Sequence, residues 1–209
     1  MSIALRIGLA FLISYLLGSI PASYIAGRLK DGIDLREHGS GNLGATNVFR
    51  TLGVWVAIPV LIIDIGKGAL AVLIGGLGFL SVETLPDAVP LVCAVAAILG
   101  HSFSPFVGFK GGKGVATAAG AFFTLAPWGM VPAAGLWIIM LSTTRIMSVA
   151  SLSAAAVLPL TLIVYEFSRT DQRHDWINLG AAIVVALLVF FRHRSNILRL
   201  REGEEKGLW

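Results

Sequence analysis

Charge is what this sequence has least of. Only 13% of its 209 residues are Asp, Glu, Lys or Arg, about half the share of an average globular chain, too few to clothe a soluble domain of this size. Cysteine occurs once, as Cys93, which excludes an intramolecular disulfide and a cysteine-based zinc site. Within the apolar run 90–99 it reads as a small core residue. No cluster of carboxylates suits Mg²⁺, so neither an obligatory metal nor another cofactor is expected. A P-loop is missing as well. The pattern GxxxxGK[ST] anchored on Gly112 and Lys113 needs Gly at 107 and Ser or Thr at 114, where the chain has Val107 and Gly114. Internal repeats of hydropathy or motif, the mark of many transporters, are not found.

What is present is apolar. Hydrophobic residues make up 56% of the chain and the mean hydropathy is +0.83. A net charge of +4 and a pI near 9.6 would by themselves suggest a nucleic-acid binder. The charges, however, sit in short clusters between long uncharged runs, so the expectation is a single polytopic membrane domain over 1–209 and no nucleic-acid partner. A helix crosses the hydrocarbon core with about 20 apolar residues. Candidate spans are 7–26, 54–80 (interrupted by Asp64 and Lys67), 88–107, 146–167 and 177–191. The first is too long for a signal-peptide core and lacks a small-residue cleavage site.

From Gly114 to Thr144 no charge occurs for 31 residues, about 46 Å as one helix. Pro127, Gly129 and Pro132 interrupt its middle, and charge asymmetry selects a hairpin. With two short helices here, Arg28, Lys30, Arg36, Arg50, Lys110, Lys113, Arg145, Arg192, Arg194, Arg199, Arg201 and Lys206 all fall inside, against Arg6, Arg169 and Arg173 outside. A single long span would leave the two sides nearly equal, against the positive-inside rule. The expectation is therefore an all-α integral membrane protein. It is a seven-helix bundle with N-terminus out and C-terminus in, two of its helices (about 115–127 and 130–144) being short. The Lys/Arg-free loop 81–87 lies outside. Loops near 29–51, 108–114, 145 and 192–209 lie at the cytoplasmic face.

The chemistry-bearing residues sit in those loops. Residues 33–50 interleave Gly39, Gly41 and Gly44 with Ser40, Asn42, Thr46 and Asn47 and close on Arg50. Glycines allow successive N–H groups to converge on one anion, and Arg50 supplies a planar fork suited to phosphate. Phe109-Lys110-Gly111-Gly112-Lys113-Gly114 opens a helix near Val115, where free N–H groups and the dipole favour an anion. A third group, Arg145 with Ser148 and Ser151, combines a cation and two hydroxyls, although Ser148 also reads as an N-cap. After the last span, His193 and Asn196 share a face if the helix continues. The arginines around them equally suit anionic lipid. Asp64 and Lys67, three apart within a span, offset each other's burial as an ion pair. His38 and His174 carry no site signal.

These residues, in this order, resemble the acyl-phosphate-dependent glycerol-3-phosphate acyltransferases of bacteria (the PlsY type). The match takes in Gly18-Ser19-Ile20-Pro21, residues 39–50, Asp64 and Lys67-Gly68, Gly100-His101, residues 109–117, Arg145 with Ser148 and Ser151, and His193 with Asn196. Residues after Arg201 add nothing to it. The resemblance implies transfer of a fatty acyl group from acyl phosphate to the 1-hydroxyl of glycerol 3-phosphate. The products are lysophosphatidic acid and phosphate, in the first acylation of phospholipid synthesis. It implies a cytoplasmic (inner) membrane location with the active site facing the cytoplasm. It also implies contact with membrane lipids and a functional link to an enzyme that makes acyl phosphate. On that pattern glycerol 3-phosphate lies against Ser40, Arg50, Lys110, His193 and Asn196. Gly111, Gly112, Lys113, Gly114 and Ser148 lie near the acyl-phosphate head.

An acyl phosphate is an activated anhydride whose phosphate leaves readily, so the enzyme's work is alignment and stabilisation of charge. No Cys, Asp or Glu in the loops suggests an acyl-enzyme, and direct transfer is expected. The alcohol proton goes to His101 or to the departing phosphate; His101 also reads as a structural helix-end residue. The His-x4-Asp acyltransferases are excluded, because Leu43, Phe106, Leu179 and Leu198 stand five after the four histidines. A transporter for an organic phosphate and a lipid-binding scaffold are the other readings considered.

Overall fold

The structure, a computed structural model, describes residues 1–80, 82, 87–168 and 176–208. Every regular element among them is helical: α1 (Ile3–Gly18), α2 (Ala22–Asp31), α3 (Ala45–Leu52), α4 (Val54–Gly75), α5 (Ala88–Ser102), α6 (Val115–Leu125), α7 (Pro127–Thr144), α8 (Met147–Ser168), α9 (Trp176–Arg192) and α10 (Arg194–Arg201), with a 3-10 turn at Pro105–Val107. The chain forms two compact units, Met1–Thr124 and Leu125–Trp209.

Among the described residues, four stretches are long and apolar enough to cross a membrane: Ile3–Asp31, which joins α1 and α2, Val54–Gly75, Ala88–Val107 and Met147–Ser168. Helices α9 and α10, bent by 59°, make a fifth if counted as one span. The expected seven crossings are therefore not all reached on length and composition. The eleven residues of α6 extend only about 16 Å, roughly half the hydrocarbon thickness.

The uncharged run 114–144 does divide into two helices, but at Ala126, not after residue 127. Proline lacks an N–H that the first turn would leave unpaired anyway, so Pro127 opens α7. Gly129 and Pro132 then lie within α7. Three further helices were not expected. Pro21 splits the first span, with Gly32 ending α2 in a left-handed conformation at φ 70°; α3 forms inside the first loop; α10 follows the last span. Loop 81–87 is described only at Val82 and Asp87, and Arg169, Arg173 and His174 lie outside the described residues.

In the first unit, α4 shows a membrane-adapted section. Trp55, Ile62 and Leu73 are 84%, 63% and 59% exposed, whereas Asp64 and Lys67 are buried, so the apolar face is outward and the charges are inward. Helices approach closely where side chains vanish. Gly18 of α1 lies against the Ala97 backbone of α5, and Gly68 and Gly120 bring α4 and α6 backbone to backbone through Thr117 and Ile65. Small residues at such crossings replace hydrophobic driving force with van der Waals contact. Helix α1 is also tied to the end of α5, where Tyr15 Oη donates to the Phe103 carbonyl at 2.7 Å and Ser104 Oγ to that of Ser19 at 2.6 Å. In the second unit, α7 packs on α8 and α8 on α9, with Thr161 Oγ1 donating to the Gly129 carbonyl at 2.9 Å.

Candidate functional site

The first loop is built around two polar anchors. Asp34 accepts from Arg36 through its backbone N–H (3.0 Å), Nε (3.0 Å) and Nη2 (2.6 Å), with Arg28 at 3.5 Å. Both guanidinium groups sit over the Tyr24 ring, 5.2 and 5.4 Å from its centroid. Hydrogen bonding from Arg36 outweighs burial and holds the Asp34 carboxyl down at about 2. The second anchor is Asn47, buried in α3. Its Oδ1 accepts from the Ser40 N–H at 2.8 Å, and its Nδ2 donates to the Leu35 and His38 carbonyls, both at 3.0 Å. Both amide hydrogens of Asn47 are thus committed to the loop, and the donor role expected of it toward an anion becomes one of shaping. Gly39, at φ 61°, has no alternative here, since a Cβ would overlap Asn47 Oδ1. The loop leaves Gly39, Ser40 and Gly41 exposed, Asn42 and Thr46 half-buried, and Arg50 exposed in the last turn of α3.

The second loop departs from expectation. The N–H groups of Gly111 and Gly112, expected in an anion cradle, donate to the Ser102 and His101 carbonyls at 3.2 and 3.1 Å. The cause is the end of α5, whose last carbonyls have no partner within the helix. Only glycine lets the returning loop reach them, because a Cβ on Gly111 would overlap the His101 carbonyl, and one on Gly112 would overlap His101 Nε2 and the Leu43 carbonyl. The donors that remain for an anion belong to the first turn of α6, which begins where Gly114 accepts from Ala118 N–H at 2.8 Å. Lys110 is exposed and Lys113 half-buried beside it.

The two loops meet. Arg36 Nη1 donates to the Val107 carbonyl at 3.1 Å, and the Leu43 carbonyl faces the α-carbon of Gly112. Gly44 caps α3 and Gly114 opens α6, so two helix N-termini start within two residues of that contact. Their partial positive ends favour negative charge in the same neighbourhood.

Beneath the loops lies a buried ionic group. Lys67 Nζ is 2.8 Å from Asp64 Oδ1, as the pairing of these residues implied, and donates to the Ile20 carbonyl at 3.1 Å. The sequence did not indicate that His101 joins them, with Nδ1 3.4 Å from the same carboxylate oxygen. Its Nε2 lies against Gly112, so both ring nitrogens face protein. A narrow cavity lined by Ser19, Pro21, Asp64, Lys67, His101 and Gly112 opens beside this group. Among the described residues no three His, Cys, Asp or Glu side chains are placed to hold a metal ion.

Within the second unit, the break between α9 and α10 buries His193 and Asn196, with the His193 ring Nδ1 2.8 Å from the Val189 carbonyl. Ser148, buried in the first turn of α8, donates at 2.8 Å to Glu205 Oε1, which also accepts from Asn196 Nδ2 at 2.5 Å. Arg199 Nε donates to Glu205 Oε2 at 2.6 Å. Burial alone would raise the Glu205 carboxyl, but these three donors hold it below the usual carboxylate value. Arg145 is exposed and ends α7 at φ 60°; its carbonyl accepts from Leu208 N–H at 2.7 Å. Asp34 and Glu205 are the polar residues that sequence reasoning passed over. Asp34 had a signal, an arginine two residues on; Glu205 stands in a tail with no period or motif.

A helical chain with apolar faces turned outward, charges turned inward and several stretches long enough to span a bilayer is an integral membrane protein. Comparison with known proteins narrows this class. The family model for glycerol-3-phosphate acyltransferase matches residues 8–203, and the chain belongs to that family. Relatives of that name from Geobacter sulfurreducens and Chlorobaculum tepidum are 44% and 40% identical. The first alignment covers 92% of this chain and 93% of the relative, the second 94% of each. A crystal structure of PlsY, an integral membrane glycerol 3-phosphate acyltransferase, in its glycerol 3-phosphate form matches with a TM-score of 0.85 at 36% identity, over 96% of this chain and 94% of that one. The lysophosphatidic acid form matches at 0.82 and 35%. The chain is accordingly a multi-pass membrane acyltransferase.

Proposed function

We propose that this enzyme transfers a fatty acyl group from acyl phosphate directly to the 1-hydroxyl of glycerol 3-phosphate, releasing lysophosphatidic acid and phosphate. The observation that carries the reading is the meeting of the two glycine loops at Leu43 and Gly112. Both substrates bear a phosphate, and reaction between them requires two anion sites close together. The first turns of α3 and α6 supply two sets of backbone donors near that contact. Ser40, Arg50 and Lys110, exposed on the same loops and on α3, are assigned to the phosphate of glycerol 3-phosphate. Lys113 and the start of α6 at Gly114 are assigned to the donor's phosphate. Gly39, Gly41, Asn42 and Thr46 line the first loop, while Asn47, Gly111 and Gly112 hold its shape and its neighbour's. Arg145, Ser148, His193 and Asn196 carry substrate-contact assignments within the second unit. PlsY in its glycerol 3-phosphate and lysophosphatidic acid forms supports acceptor and product of these classes.

The alcohol proton passes to the departing phosphate. The placement of His101, with Nδ1 toward Asp64 and Nε2 against Gly112, favours this route over a histidine base. Catalysis then rests on alignment and on cations that stabilise the leaving group. The site faces the cytoplasm at the inner membrane, with the N-terminus outside and the C-terminus inside, where it draws on lipids of the bilayer and an enzyme supplying acyl phosphate. The test is purified protein in detergent with labelled glycerol 3-phosphate and palmitoyl phosphate. Lysophosphatidic acid should form without a membrane gradient and without acyl-CoA. Product from acyl-CoA alone would overturn the donor assignment. His101→Ala should retain more than about one hundredth of kcat, the lower end of acid–base contributions; a larger loss in a folded variant restores His101 as base.

A further inference from the structure

The buried ionic group of the first unit contains one contact that its charge balance does not require. Lys67 already compensates Asp64 at 2.8 Å and donates a second hydrogen to the Ile20 carbonyl at 3.1 Å. His101 nevertheless places Nδ1 3.4 Å from the same Asp64 oxygen, and its side chain is only 6% exposed. A buried ion pair adds little to stability over apolar side chains of similar volume, so stability alone does not explain a carboxylate here. His101 also touches the second loop twice. Its carbonyl accepts the Gly112 N–H at 3.1 Å, a bond set by the backbone. Its ring meets Gly112 through Nε2, and that contact depends on how the ring is turned and which nitrogen holds the hydrogen. Gly112 in turn faces the Leu43 carbonyl of the first loop and precedes Lys113.

We propose that Asp64 is a positioning residue for acyl transfer, one that holds the His101 hydrogen on Nδ1 and thereby turns the Nε2 lone pair to the Gly112 turn, seating the loop that carries Lys113. This rests on the assignment of Lys113 and the start of α6 to the donor's phosphate. An ionised carboxylate only accepts, so the ring nitrogen facing it carries the hydrogen. In a neutral ring the other nitrogen is then an acceptor. The ring is neutral because Lys67 has balanced Asp64, and a second buried cation would leave the group with a net charge. The opposite tautomer would set a lone pair against the carboxylate and press a hydrogen toward Gly112. Asp64 acts on the reaction only through this ring.

The experiment uses the full-length enzyme in detergent and removes the ion pair as a unit, Asp64→Leu with Lys67→Met, so that no buried charge is stranded. Kinetics with palmitoyl phosphate and thermal unfolding are read in this pair variant, in His101→Ala and in the triple variant. KM for palmitoyl phosphate should rise about three- to tenfold, the scale of one lost hydrogen bond, while kcat stays within about twofold. Asp64→Asn with Lys67→Met, which restores an acceptor for Nδ1–H, should recover part of that loss. In the His101→Ala background the pair substitution should add less than about twofold, because the ring that transmits it is gone. Nitrogen NMR of the isotope-labelled parent, with His101 assigned by its absence in His101→Ala, should show Nδ1 protonated and Nε2 bare at neutral pH. A ring protonated on Nε2, or on both nitrogens, overturns the inference whether or not any variant folds. So does a parental KM in the folded pair variant, or an equal cost of the pair with and without His101. Activity that falls only in step with unfolding temperature makes the group a structural clamp and overturns it as well. A parent enzyme that makes no product from palmitoyl phosphate overturns the proposed function and the inference together, whereas the other adverse outcomes strike the inference alone.

Discussion

Single side chains differ here in whether they shape a loop or are assigned to substrate. Asp34 shapes. Its carboxyl is held at about 2, against an unperturbed value of 3.8, mainly by the Arg36 hydrogen bonds. Because the folded value is depressed, the stabilisation is complete above the unfolded value near 4 and is lost as pH falls through about 2. Unfolding temperature in detergent should therefore decline between pH 4 and pH 2, and Asp34→Asn should start lower and flatten part of that slope. An unchanged slope in the variant would remove Asp34 from the account. Arg50 and Lys110, exposed beside the glycine loops, are the proposed phosphate ligands. Arg50→Ala and Lys110→Ala should each lower kcat/KM at least about a hundredfold, as loss of a charged donor to a phosphate does, while unfolding temperature stays near that of the parent. Near-parental kinetics in both variants would reject the phosphate assignment.

At the scale of elements, close approach matters as much as hydrophobicity. Gly68 and Gly120 let α4 and α6 cross with backbone against backbone, and a Cβ on Gly120 would overlap the Ile65 carbonyl. Backbone cannot yield as a flexible side chain does, so Gly120→Ala should destabilise by about 1–3 kcal/mol, the usual cost of overpacking. Thermal unfolding checks this, with Gly135→Ala in α7, where open space surrounds the site, as the neutral control. Equal unfolding temperatures for the two would mean that α4 and α6 do not cross there. The elements also show what could be read beforehand. Apolar runs located the main helices, and the cluster Pro127, Gly129 and Pro132 the division of 114–144 to within a few residues, because desolvation and missing N–H groups act locally. Helices α3 and α10 escaped because they are short, polar and fixed by tertiary contacts such as Asn47 and Glu205, which leave no periodic trace. The glycine loops are legible as special in the sequence, but the use of two of their N–H groups within the fold is not. A helix end needing donors and an anion needing donors ask for the same residues, and only the path of the chain shows that Gly111 and Gly112 serve the helix.

For the whole molecule the decisive question is which membrane face each loop occupies. The sixteen Lys and Arg residues argue for loops 29–51 and 108–114 on the cytoplasmic side, since cationic loops resist translocation. The contacts of Arg36 with Val107 and of Leu43 with Gly112 demand independently that these two loops share a side. The chain suits a direct measurement, because its one cysteine, Cys93, is buried and Cys93→Ala removes only a small core volume. In that background, cysteines placed singly at Ser40, Lys110 and Asp87 should sort by a membrane-impermeant thiol reagent applied to intact cells and to inverted vesicles. The first two should react only in inverted vesicles and the third only in intact cells. Opposite sidedness for Ser40 and Lys110 would contradict the loop contacts and dismantle the shared phosphate region. Joint reversal of all three would keep the site but turn it away from the cytoplasm, where both substrates are expected to be supplied. Charge distribution and loop packing are separate physical constraints, so their agreement in one labelling pattern tests the topology more severely than either does alone.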